Sequence, residues 1–161
     1  MSDDTAALPA TLADIRDDFL ELGQQDRLQL LLEFSDELPA LPERLQGHEE
    51  ELERVEECQS PVFITVTVGA DGDAPDVVRM HATAPREAPT TRGFASILAQ
   101  GLSGLTVDEV LAVPADYPLT IGLSEAVSPL RIRGMVGMLG RVQRQVRALA
   151  AERRGGTAPA D

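Results

Sequence analysis

Residues 62–68 read VFITVTV, and this period-two run constrains the fold more than any other stretch. Val62, Ile64, Val66 and Val68 fall on one side of an extended chain; Phe63, Thr65 and Thr67 fall on the other. The turn-rich segment GADGDAPD follows, and then VVRMHAT returns with Val78, Met80 and Ala82 on one face and Arg79 and His81 on the other. Two such runs joined this way predict an antiparallel hairpin with one apolar face. Upstream, ELERV fits a short third strand, giving a small meander that helices must cover.

Helical spacing supplies that cover. Leu12, Ile15, Phe19 and Leu22 recur at helical intervals in TLADIRDDFLEL, with Thr11 and Asp14 in a capping pattern and Gly23 at the end. DRLQLLLEFSDEL predicts a second helix with Leu28, Leu31, Leu32 and Ser35 facing inward. RGFASILAQGL predicts a third, capped by the threonines before it and ending near Gly101. TVDEVLAV is a short helix with a Thr106–Glu109 capping box, stopped before Pro114. The last helix starts with Ser128 as cap and Pro129 at its first position. Its glycines Gly134, Gly137 and Gly140 cost helix propensity, which suggests close packing against another element. The expected fold is therefore α+β: one domain over residues 1–154, with a disordered tail at 155–161. Its sheet is small and antiparallel, with helices mainly on one face.

Composition then prunes function. The chain has 161 residues and is 43% apolar, enough for one folded core. No apolar run approaches the roughly 20 residues that a membrane span needs. The acidic start MSDDTAALPATLADIRDD does not read as a signal peptide, so a cytoplasmic location is expected. All 14 basic residues are arginine. Without lysine there is neither a P-loop nor a Schiff-base anchor for pyridoxal phosphate. Net charge is −13, and residues 1–60, with 17 acids against 4 arginines, carry the whole surplus. That argues against nucleic-acid phosphates as a partner of this segment and fits a basic protein partner; solubility alone is the plainer account.

The single cysteine, Cys58, forms no internal disulfide. Pro61 cannot donate to a strand ladder, so Cys58 is expected on a loop at a sheet end, where a side chain can be reached. A free cysteine is more often a small buried hydrophobe. Glu56 and Glu57 raise a thiol pKa, and a nearby arginine such as Arg92 would offset them. His48 and His81 are the two histidines available for a Cys–His hydrolase, and neither has a supporting motif. One cysteine and two histidines are too few for a recognisable zinc set. DGD in the turn lacks a calcium-loop glutamate. The residues alone leave Cys58 open between packing and chemistry.

Three stretches in order, RVEECQSPVFITV, TRGFASILAQGLSGLTVDEVLAVP and IGLSEAVSPLRIRGMVGMLGRV, resemble the SufE family of sulfur-acceptor proteins. The likeness runs from about Leu8 to Leu149. It implies the SufE/IscU type of α+β fold. Cys58 would accept sulfur as a persulfide from a cysteine desulfurase of the SufS type, a separate pyridoxal-phosphate enzyme, stimulate that enzyme, and pass the sulfur to an iron–sulfur scaffold. The protein would be a covalent transfer partner rather than a free-standing enzyme, with no metal or cofactor of its own. Arg92 and Gly93 match the family's arginine–glycine helix start, which implies a role in placing the cysteine loop or meeting the desulfurase. The resemblance also implies that this loop shelters the thiol at rest. Glu57 stands where the family commonly has glycine, and Gln59-Ser60-Pro61 replaces its usual serine–glutamine pair. A non-catalytic adaptor on the same fold, one that does not use Cys58, is the alternative.

Overall fold

The computed structural model describes residues 8–70 and 72–156. Helices α1 (Ala10–Leu20) and α2 (Gln24–Asp36) come first. Strands β1 (Glu53–Arg54), β2 (Phe63–Val68) and β3 (Val78–Thr83) follow. Helices α3 (Pro89–Leu102), α4 (Val107–Ala112) and α5 (Pro129–Gly156) complete the order. The sheet is antiparallel in the order β1-β2-β3, so the fold is α+β.

Register explains why the alternation reads so clearly. Ile64 sits opposite Ala82, Val66 opposite Met80 and Val68 opposite Val78. All six side chains are buried on one face. Helix α3 packs on β3, and α5 packs on β2. The helices α1 and α2 then close over α3. The opposite sheet face carries exposed Arg79 and half-buried Thr65, Thr67 and His81. Removing the apolar face from water is the main force holding these layers together.

Polar side chains fasten the layers. The fully buried Tyr117 donates its hydroxyl proton to Leu12 O at 2.8 Å, joining the N-terminal helix to the segment before α5. Burial pushes its phenol above the usual range. Gln143 donates to both Val110 O and Val113 O, which satisfies the last carbonyls of α4 from within α5. Arg27 does the same for α1 through Phe19 O and Leu20 O.

Three details differ from the sequence-based expectations. Thr11 does not cap α1: Pro9 occupies that place, and its carbonyl accepts from Ala13 N. Thr90 and Thr91 lie inside α3, whose first residue is Pro89. In both places proline pre-sets helical or pre-helical backbone, so the chain turns before the threonines. Leu32 is 40% exposed rather than inward, because Leu31 and Ser35 carry the buried stripe of α2. The capping box at Thr106 forms as expected, with Glu109 N and Thr106 N each bonded by the other residue's side chain. The tail expected at 155–161 is helical backbone at Gly155 and Gly156, which continue α5, and its remainder, 157–161, lies outside the described residues. No described helix is long and apolar enough to cross a membrane.

Candidate functional site

Strands β1 and β2 are joined by a loop pinched at its base. Val55 N donates to Val62 O at 2.9 Å, and both side chains are fully buried. Between these anchors the chain bulges, and Cys58 N donates back to Val55 O at 3.1 Å. This tight turn aims the Cys58 side chain inward. The residue lies on the expected loop at the sheet end, but it is only 7% exposed.

Helix α5 is the wall behind it. A methyl group added at Gly134 would lie 2.9 Å from Cys58 Sγ, closer than side chains pack. At Gly137 it would lie 2.6 Å from the Glu57 carboxyl carbon. These glycines let the loop lie flush on the helix, which is the close packing their helix cost suggested. Gly140 has open space around it. In front of Cys58 is an open hollow of about 270 Å³, lined also by Ser60, Glu87, Thr90 and Arg131.

One turn further along α5, ion pairs take over. Arg141 donates to Glu57 at 2.8 Å and to Glu53 at 2.6 Å. Gln145 donates to the other oxygen of Glu53 at 2.7 Å, and Arg144 also bonds Glu53. Arg141's hydrogen bond holds the Glu57 carboxyl below the ordinary carboxylate value. Burial works against ionising Glu53, yet Gln145, Arg141 and Arg144 outweigh it and hold that carboxyl low as well.

Burial pushes the Cys58 thiol up to about 11, and the Glu57 carboxylate adds to the rise. Arg141 and Arg54 oppose it. These are the arginines that offset Glu57; Arg92 is not one of them. Arg92 donates to Ser35 O at 2.9 Å and to Ala84 O at 2.6 Å, tying the end of α2 to the end of β3. It lines a different hollow, together with Asp36 and Arg86. Gly93 has its own packing reason: a methyl there would meet Leu31 O at 2.6 Å.

At rest the site holds a sheltered, protonated thiol. With its pKa pushed up to about 11, the thiol keeps its proton at neutral pH. Thiolate chemistry therefore needs the loop to move or the surroundings to change. Neither His48 nor His81 lines the hollow, so no Cys–His pair is assembled there. Among the described residues, the donors grouped closely enough for a metal ion are the exposed His48, Glu50 and Glu51, without Cys58.

Glu53, Arg141 and Gln145 escaped the sequence reading. A signal existed: Gly134, Gly137, Arg141, Arg144 and Gln145 follow helical spacing along one face. What that face meets depends on the tertiary fold.

The chain is 53% identical over 142 residues to a SufE-like protein of Mycobacterium tuberculosis, covering 88% of this chain and 95% of the relative. It is 28% identical over 130 residues to the sulfur acceptor protein CsdE of Escherichia coli, covering 78% of this chain and 80% of the relative. A solution structure of a hypothetical protein from Thermus thermophilus superposes with a TM-score of 0.76 at 38% identity, covering 89% of this chain and 98% of that one. The sequence profile of SufE, described as an Fe-S metabolism associated domain, matches residues 13–146, which include the cysteine loop and its α5 wall; the chain belongs to the SufE family.

Proposed function

We propose that this protein is a sulfur acceptor of iron–sulfur metabolism, and that Cys58 carries the sulfur as a persulfide. The single observation behind this reading is the placement of the chain's one thiol. It sits beside an open hollow, on a loop built around it, within the family-matched residues. The similarity to a protein named as a sulfur acceptor supports the same role.

The donor in this reading is a pyridoxal-phosphate cysteine desulfurase carrying a cysteine persulfide. Cys58 loses its proton and its thiolate attacks the outer sulfur. A new S–S bond forms at Sγ as the desulfurase S–S bond breaks, and the electron pair leaves on the desulfurase cysteine. Clearing the persulfide stimulates the desulfurase, and a downstream iron–sulfur scaffold receives the sulfur. A lone cysteine suits a carrier, since a second thiol nearby would discharge the persulfide as a disulfide. The cytoplasm, which keeps thiols reduced, is the fitting compartment.

Arg92 acts in this reading from a distance. It holds Ala84, and the segment that follows supplies Glu87 to the hollow. The adaptor alternative draws on the raised thiol pKa, which makes Cys58 unreactive while the loop is closed. Intact mass after incubation with a cysteine desulfurase and free cysteine separates the two. The carrier gains reductant-labile sulfur and Cys58→Ser does not; an adaptor gains none and still alters desulfurase turnover after the substitution.

A further inference from the structure

The cysteine loop meets α5 in two ways. Gly134 and Gly137 leave room for Cys58 and Glu57 to lie against the helix. Arg141, Arg144 and Gln145 then grip Glu53 at the root of the loop, while Arg141 alone reaches Glu57 beside the thiol. The glycines make close approach sterically free, and free approach does not by itself favour the closed state. The Arg141–Glu57 pair favours it, because it forms only when loop and helix are together; the Glu53 bonds tie β1 to the same stretch of α5 and hold Arg141 in place. Side-chain exposures are 22% for Arg141, 24% for Glu53 and 37% for Glu57. Pairs this close to water are weakened by salt and open readily.

We propose that Arg141 is a positioning residue for Cys58: held by Glu53 of β1, it clamps the cysteine loop to α5 through Glu57, and opening this clamp sets the reactivity of the thiol. The proposal rests on the sulfur-carrier reading for its purpose, although the clamp can be measured without a desulfurase.

The charged groups that act on the thiol or line its hollow come from four places. Glu57 comes from the loop itself, Arg54 from β1, Arg141 and Arg131 from α5, and Glu87 from the segment before α3. With the clamp closed, burial dominates and the thiol stays protonated. With it open, the thiol meets water and burial no longer opposes ionisation. Removing Arg141 also unmasks Glu57, which would slow ionisation if the loop stayed shut. In Arg141→Gln a faster reaction therefore reports opening rather than a change in local charge; Glu57→Gln also removes a carboxylate that raises the thiol, so in that variant the loss of salt response reports opening.

The test is alkylation of the isolated protein by iodoacetamide, a neutral reagent, across pH and at low and high sodium chloride. Arg141→Gln and Glu57→Gln are measured beside the native chain, with melting temperatures recorded for each. The expected result is alkylation at pH 8 and low salt faster by about threefold or more in both variants, the scale of breaking a partly exposed ion pair. Their pH profiles shift to lower pH. High salt accelerates the native protein and leaves Arg141→Gln unchanged, and the double variant matches the singles. Equal rates with equal salt response would overturn the clamp. So would a gain that merely follows a lowered melting temperature and shows no salt dependence. If the clamp signatures appear while the desulfurase loads no sulfur, the carrier reading fails and the clamp stands.

Discussion

Cys58 shows how one position can be legible in kind and hidden in state. Pro61 and the end of the period-two run were enough to put it on a loop. Its inward turn depends on Gly134, 76 residues later in the chain, which no local pattern links to it. Gly134→Ala should press a methyl group against Sγ and push the thiol outward. The expected outcome is faster alkylation of Cys58 than in the native protein, with α5 intact by circular dichroism; slower alkylation would contradict this geometry. Native Cys58 should itself alkylate slowly at pH 8, with a rate that climbs about tenfold per pH unit and levels off near pH 11. The same shift affects stability. A folded thiol that keeps its proton where the unfolded one has lost it favours the fold below the ordinary pKa of 9.0, and that contribution is lost as pH rises to about 11. Urea titrations of the native chain and Cys58→Ser should therefore diverge between these values, the native chain weakening more.

Elements were read well where a pattern is local. Alternation located β2 and β3 because one face is buried and a slip by one residue would expose it. The Thr106–Glu109 box lies within a single turn and was visible for that reason. Helix starts near Pro9 and Pro89 are less legible, because threonine offers a competing cap where proline already sets the backbone. Arg92 is the instructive site residue. Its position at a helix start was clear, while its two carbonyl partners come from α2 and the end of β3 and could not be read locally. Arg92→Ala should remove the side-chain partner of Ala84 O, leave Ser35 O only its backbone partner, and cost about 1–3 kcal/mol of stability, measured by chemical unfolding. A loss of sulfur transfer in this variant, with stability unchanged, would instead point to direct contact with the partner. Gly93→Ala should be still more damaging, because its methyl meets the backbone oxygen of Leu31 rather than a movable side chain.

At the scale of the molecule, the sheet, α3 and α5 make a frame, and the cysteine loop is the part laid over it. Composition had excluded lysine chemistry and shown the acids gathered before Cys58. It did not show that two of them, Glu53 and Glu57, are spent on arginines of α5. The charge balance of residues 1–60 and of the rest therefore meets partly inside the molecule, at the loop that holds the thiol. Both carboxyls are held below the usual range by these partners, so the pairing is present at neutral pH and is lost as pH falls through those lowered values.

The central claim is that Cys58 is a sulfur acceptor, and intact mass spectrometry addresses it most directly. The protein is incubated with a cysteine desulfurase and free cysteine, with Cys58→Ser treated in parallel. The account predicts a gain of one or more sulfur atoms on the native chain, removed by reductant and absent from the variant. No gain, with the cognate desulfurase active on cysteine in the same tube, would contradict it and leave Cys58 as a packing residue.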